Sequence, residues 1–343
     1  MKYDIQGEKM KMKRVSIVAI LLVVFAFVLT ACNGGGAPSS SGSAPSNPAS
    51  QPQSQNQPQS QPAAQPQAQN ATLMPSNAPS FDTSKNVSIL AREDGSGTKT
   101  AFMEIIGLKG KADPENVIIQ TGTAGILTEV KGNPNAIAYE SLGYVTGDVK
   151  MLKVNDVEAT TANIKNGSYK ISRPLSVVYQ ESTLDNDINK AFYMFLQSSD
   201  AQQIISDEGY VSIVDNAPAY TINGSLKGSI DISGSTSLQP LMTELADAFE
   251  KLQPNVSVTV GGGGSGTGYK NADEGVSEFG MISEEFNLEK APSCTDYVVC
   301  KDGIAVIVHR DNPLDNITME QLKNIYDVEA GPDAIEKWNS LIK

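Results

Sequence analysis

An α/β fold built on parallel sheets is predicted by three features of the sequence. These are a strand–helix–strand–helix–strand run over 229–282, a second stretch with the same grammar at 87–106, and small-residue loops where strands turn into helices. Residues 229–232 alternate as a strand and run into the turn Gly234-Ser235-Thr236-Ser237. Leu238, Leu241, Met242, Leu245, Phe249 and Leu252 then recur at helical spacing until Pro254-Asn255 stops the helix. An alternating strand at 256–260 leads into a loop at 261–268, a short helix and a further strand near 279–282. Ligands of such sheets sit beyond the carboxyl ends of the strands, where both small-residue loops lie. In the earlier stretch, 87–91 reads as a strand and 92–98 as a polar loop. A helix starting near Thr98 carries Ala101, Phe102, Ile105 and Ile106 on one face. Near the end, Thr318 and Gln321 predict a capping box for a helix with Met319, Leu322, Ile325 and Tyr326 on its apolar side.

The amino-terminal part has a different composition. Basic residues up to Arg14 precede an apolar run at 15–29, long enough for a signal-peptide core and short for a membrane span. The run ends in Leu29-Thr30-Ala31-Cys32, which resembles a bacterial lipobox and implies cleavage after residue 31 with lipid attached to Cys32; a transmembrane anchor with an incidental cysteine is the other reading. Residues 33–80 hold nine prolines and no charged or aromatic residue, too little apolar surface to offset the entropy of ordering. They read as a tether, leaving about 263 residues to fold outside the cytoplasm as one large or two small domains.

The net charge is −13, and because the leader contributes +3, the mature chain carries −16. Nucleic acid and anionic membrane surfaces demand clustered Lys and Arg, so neither is expected as the main partner. The only histidine is His309, expected at the end of a buried strand, which leaves a zinc site or a Ser-His-Asp triad almost nothing to be built from. A serine hydrolase using Ser96 or Ser265 is accordingly disfavoured, and no cofactor is implied. Cys294 and Cys300 would need a turn between them to pair, and the sequence leaves that open.

The loops suggest an oxyanion site. Helix amino ends offer unpaired N–H groups and a partial positive charge, and glycines let an anion approach the backbone. Arg92 supplies a planar, always charged fork that Asp94 is expected to hold in place.

The segments at 91–102, 206–213, 233–242, 261–268, 301–313 and 322–327 resemble the phosphate-binding proteins of bacterial ABC phosphate importers. The resemblance implies a type II periplasmic-binding-protein fold, two lobes each with a mainly parallel sheet, closing on one phosphate in the cleft between them. By position it implies phosphate binding by Thr236, Ser237, Ser265 and Ser283 from one lobe and by Arg92, Ser96, Gly97 and Thr98 from the other. It further implies a receptor that delivers inorganic phosphate to the transmembrane subunits of a permease, from the lipid anchor on the outer face of the membrane; the missing catalytic base adds that it is not an enzyme, and a self-contained chain would be a monomer. A receptor for another tetrahedral oxyanion, or a sensor or adhesin that kept the fold, is the alternative.

Two departures stand out. The motif order is rotated relative to the family, as in a circular permutant whose old ends are joined through about 215–227 and whose new ends open between 338–339 and 87. The domains are then 1–31 (signal peptide), 32–85 (lipidated cysteine and linker), 86–170 with 313–343 (lobe with the Arg92 loop), and 171–312 (lobe with the other two loops); a fragment of a tandem chain, with lobes pairing between molecules, is the rival. In addition, Ile282 and Glu284 stand where the family has polar and basic residues. Glu284 either faces phosphate, accepting its proton, or points to solvent.

Overall fold

The computed structural model describes residues 81–342, so Cys32 and most of the linker lie outside the described residues. Along the chain run β1 Ser88–Arg92, α1 Gly97–Ile105, β2 Ile118–Gln120, α2 Gly122–Gly132, β3 Ala136–Ser141, β4 Val149–Met151, β5 Lys153–Val154 and α3 Thr161–Lys165. There follow β6 Ser172–Gln180, α4 Asp187–Leu196, α5 Ser199–Asp207, β7 Gly228–Gly234, α6 Gln239–Leu252, β8 Val256–Gly263, α7 Ser265–Asp273 and β9 Phe279–Ile282. The last elements are β10 Cys294–His309, β11 Asn316–Ile317 and α8 Met319–Tyr326. Thr318 and Gln321 do form the capping box of α8.

The strands join in the order β2-β1-β3-β10-β6-β9-β7-β8, with β4 on the free side of β10. Two parallel triplets, β2-β1-β3 and β9-β7-β8, flank the antiparallel strands β10 and β6. Sixteen residues of strand reach about 50 Å, longer than either core is wide. β10 therefore serves both cores, pairing with β6 from Cys294 to Gly303 and with β3 and β4 from Ile304 to His309. One core packs Leu90, Phe102, Tyr139, Ile304, Val306, Val308 and Trp338, the other Leu175, Phe192, Phe195, Leu245, Phe249 and Cys300. The cores thus divide β10 near Asp302–Gly303 instead of at 312, because the strand's second half hydrogen-bonds to β3. Each fully buried Leu or Phe contributes about 1.5–3 kcal/mol, so this sorting fixes which half each strand segment serves.

Two further expectations are corrected and one open question is answered. Gly261, Gly262 and Gly263 continue β8, since Ser233 and Gly234 of β7 supply ladder partners there. Cys294 and Cys300 are free and buried on the same strand, roughly 20 Å apart where a disulfide allows about 7 Å between Cα atoms. Glu284 does not point to solvent: it is 3% exposed and its Oε1 accepts from Lys290 Nζ at 2.7 Å, while Ile282 is buried against Val178 and Tyr269.

The segments at the two ends of the described region run together. Val87 N donates to Glu336 O (2.8 Å), Trp338 N to Lys85 O (3.1 Å) and Asn339 N to Thr83 O (2.8 Å), and Phe81 stacks edge-on against Trp338.

α7 lies against β7 and β9 with glycine on both sides of the contact. A Cβ on Gly280 would overlap Gly268 O and stand 2.6 Å from Gly268 C, so the helix that carries Ser265 can approach β9 only because both residues lack side chains. Gly280→Ala should therefore lower stability by about 1–3 kcal/mol, an overpacking cost. Gly132→Ala, whose Cβ meets open space at the end of α2, should leave it unchanged or raise it by up to about 1 kcal/mol. Urea midpoints of the two variants check both signs.

Candidate functional site

The carboxyl ends of β1, β3, β7, β8 and β9 converge, and the sequence-predicted residues follow them. Arg92 closes β1, Ser96 caps α1, Gly97 and Thr98 open it, Thr236 and Ser237 lie between β7 and α6, Ser265 opens α7, and Ser283 follows β9. All eight are brought together. Thr98 Oγ1 and Ser237 Oγ are 2.9 Å apart, Ser265 Oγ and Ser283 Oγ 3.3 Å apart, and Arg92 Nη2 donates to Thr236 Oγ1 at 3.0 Å. Gly266 N donates to Gly95 O at 3.0 Å, so the two cores meet backbone to backbone. Arg92, Ser96, Thr98, Ser237, Ser265 and Ser283 are each 1% exposed.

What this surface offers a ligand follows from which donors are already used. As the cap, Ser96 Oγ accepts from Lys99 N at 3.4 Å, and Ser265 Oγ accepts from Ser283 N at 3.0 Å, contacts that fix both oxygens without using either hydroxyl hydrogen. In each hydroxyl pair only one oxygen donates to the other, which leaves one hydrogen per pair free to turn toward an acceptor. Among the described residues the backbone N–H groups of Gly97, Thr98, Thr236 and Ser265 have no acceptor. They lie at or just before the first turns of α1, α6 and α7, where the helix dipole adds positive potential. Such a set suits an anion with several oxygens.

Arg92 departs from expectation. Asp94 does not hold it: that side chain is 98% exposed and pairs with Lys99 Nζ at 2.8 Å. Glu93 does, taking Nε at 2.9 Å and Nη2 at 3.0 Å, while its Oε2 also accepts from Gly122 N at 3.2 Å. Nη1 reaches Thr123 Oγ1 at 3.3 Å and Glu140 Oε2 at 3.5 Å. With Thr236 on Nη2, all five guanidinium N–H groups face an acceptor. Burial works against the charge of Arg92, yet the hydrogen bond to Glu93 and the field of Glu140 outweigh it and hold its pKa above the ordinary value. Burial acts on Glu93 too, but the Arg92 contact prevails and its carboxyl stays below the usual range. On Glu140, wholly buried, burial prevails over Arg92 and the Ser141 N–H, and its pKa is raised.

Behind these residues lies a second buried arginine. Arg173 donates to Asp302 Oδ2 from Nε (3.3 Å) and Nη2 (3.1 Å) and to Ser283 O from Nη1 (3.0 Å). Ser141 Oγ donates to the same Asp302 oxygen at 2.8 Å. Sequence reasoning missed Glu93, Thr123, Glu140, Arg173 and Asp302. A signal existed for Glu140, a carboxylate set in an otherwise apolar strand segment; for Thr123 there was none.

The profile of the PBP superfamily domain matches residues 70–200 and 220–343. Phosphate-binding protein PstS 2 of Streptococcus pneumoniae is 33% identical over 258 residues, covering 73% of this chain and 88% of the relative. Its counterpart of the same name in Streptococcus agalactiae is 35% identical over 260 residues with the same coverage. The solved structure of a phosphate-binding protein of a phosphate ABC transporter from Streptococcus pneumoniae superposes with a TM-score of 0.60 at 31% identity, covering 75% of this chain and 99% of that one.

Gly97 is the tightest point of the arrangement. A Cβ there would overlap Ser265 Oγ and stand 2.8 Å from Ser283 Oγ. The overpacking cost of about 1–3 kcal/mol should fall on the contact between the two halves and not on either core. Gly97→Ala is therefore expected to weaken oxyanion binding by roughly five- to 150-fold in equilibrium titration, with an unchanged circular dichroism spectrum.

Proposed function

The chain belongs to the PBP superfamily, among the bacterial phosphate-binding proteins PstS, and on that premise we propose that it is an extracytoplasmic receptor that binds inorganic phosphate and delivers it to an ABC importer. It is a binding protein and not an enzyme. The observation that carries the reading is the meeting of three helix amino ends, each with uncommitted N–H groups, at one buried point ringed by hydroxyls. A tetrahedral oxyanion matches that geometry because it presents acceptors in every direction.

In this reading Thr98, Thr236, Ser237, Ser265 and Ser283 with the free backbone N–H groups receive the phosphate oxygens, and Ser96 and Gly97 shape the first turn of α1 around them. Arg92 contributes charge. Its Nη2 N–H on Thr236 is the one shared across the cleft, so phosphate takes that hydrogen while Thr236 turns its own hydroxyl to the ligand. The two cores act as lobes that close on the anion, with β6 and β10 as the crossing strands. Cys32 carries the lipid that holds the receptor at the outer face of the membrane, and residues 33–80 give it reach to the permease.

We further read the chain as a circular permutant working as a monomer. The hydrogen-bonded neighbourhood of 83–87 and 336–339 favours this. The new ends open in a place where the flanking backbone stays paired, which is where such cuts are tolerated.

Isothermal calorimetry on residues 81–343 tests the function: phosphate should give saturable heat, and its absence would contradict the reading. Arg92→Ala should cost about 2–5 kcal/mol of affinity against about 0.5–1.5 for Ser237→Ala, and Arg92→Lys should recover only part, since a point charge cannot replace the fork. The same soluble protein should scatter light as a monomer at micromolar concentration. A dimer separable only by unfolding would instead mean that lobes exchange between molecules.

A further inference from the structure

Phosphate must enter a site where acidic groups already outnumber basic ones. Buried Arg92 and Arg173 face buried Glu140 and Asp302 and the partly buried Glu93. A dianion adds two more negative charges where water is excluded, and an uncompensated buried charge is costly. The five N–H groups of Arg92 are occupied as well, and once phosphate takes the Nη2 hydrogen from Thr236 the guanidinium charge is shared among the ligand, Glu93 and Glu140. The longest of the five contacts is the one to Glu140, at 3.5 Å.

From this geometry we propose that Glu140 is a binding-determining residue that takes up a proton from solvent when phosphate binds. The inference rests on the phosphate reading above and specifies the charge balance of that same site. A neutral Glu140 leaves the Arg92 charge to Glu93 and the ligand, and the added charge falls from two units to one. Its surroundings permit this and single it out. From β1 it faces Arg92, with Glu93 on the far side of the guanidinium; from α2, the Thr123 hydroxyl at 3.2 Å; from its own strand, the Ser141 N–H at 2.8 Å and Tyr139. From β6 Arg173 acts at longer range, from β10 Asp302 lies one hydroxyl away through Ser141, and Tyr144 follows in the next turn. Glu93 holds Nε and Nη2 with both oxygens, and Asp302 is fixed by two N–H groups of Arg173. Glu140 is the carboxylate whose only contact with a cation is a long one. Burial raises its pKa in the folded chain as it also raises that of Asp302, and what separates the two is geometry: Asp302 holds two Arg173 N–H groups, Glu140 one Arg92 contact at 3.5 Å.

The sign follows. A bound-state pKa above the free-state value favours binding at low pH, and affinity is lost as pH rises between the two, by up to about tenfold per unit. Calorimetry at a pH where phosphate is wholly dianionic, in buffers of different ionisation enthalpy, reads the uptake directly. The observed enthalpy should rise with buffer ionisation enthalpy in the parent. Glu140→Gln, which keeps the shape and lacks the charge, should bind the dianion at least as tightly with a slope near zero. An infrared difference spectrum of the parent with and without phosphate should gain a protonated-carboxyl band, an outcome independent of whether the variant folds. A zero slope in the parent, an equal slope in Glu140→Gln, or no new carboxyl band overturns the inference. Absence of phosphate heat at every pH overturns the functional reading instead.

Discussion

A guanidinium that is almost wholly buried must have its N–H groups answered, and at Arg92 that requirement organises the surrounding protein. Glu93 arrives because it is the next residue, bending back from the end of β1. Glu140 and Thr123 arrive because β3 pairs in parallel with β1 and α2 begins beside it. Thr236 arrives from the other half. The Arg92 backbone is held in turn: its N–H donates to Tyr139 OH, Tyr139 stacks on Phe102 with centroids 3.9 Å apart, and Tyr326 bonds Leu90 O. The charge is thus fixed by one core and offered to the second, as a site between two halves requires.

The second half contributes geometry more than charge. Ser265 and Ser283 stand close enough to pair because α7 rests on β7 and β9 through glycines, and Gly97 leaves room for both. Hydroxyls and helix N–H groups can rotate or polarise toward an anion without the desolvation cost that a second free charge in the cleft would carry. Arg173, by contrast, is committed to Asp302 and to the Ser283 carbonyl, where it steadies the end of β9.

Much of this was legible in the sequence. Helical spacing located α6 and α8, alternation located β7, and small polar residues at strand ends located all three loops, because each of these signals is local. What escaped depended on distant pairing. Asp94 and Glu93 both stand near Arg92 in sequence; α1 brings Lys99 to Asp94, and the backbone N–H of Gly122 helps draw Glu93 to the guanidinium. The glycines 261–263 look like a loop until β7 supplies a ladder for them. Solvent exposure was one of two readings of Glu284, and it is Lys290, six residues on, that covers the carboxylate. The division of β10 between cores was invisible because the strand's own pattern is continuous.

The central claim is that one tetrahedral oxyanion sits between the cores at the amino ends of α1, α6 and α7. A crystal structure with arsenate, located by its anomalous scattering, tests it most directly. The account predicts a single arsenic peak in hydrogen-bond contact, through its oxygens, with the Thr98, Ser237 and Ser265 side chains and the Gly97 N–H. A peak elsewhere on the surface, with these hydroxyls still paired only to one another, would contradict it.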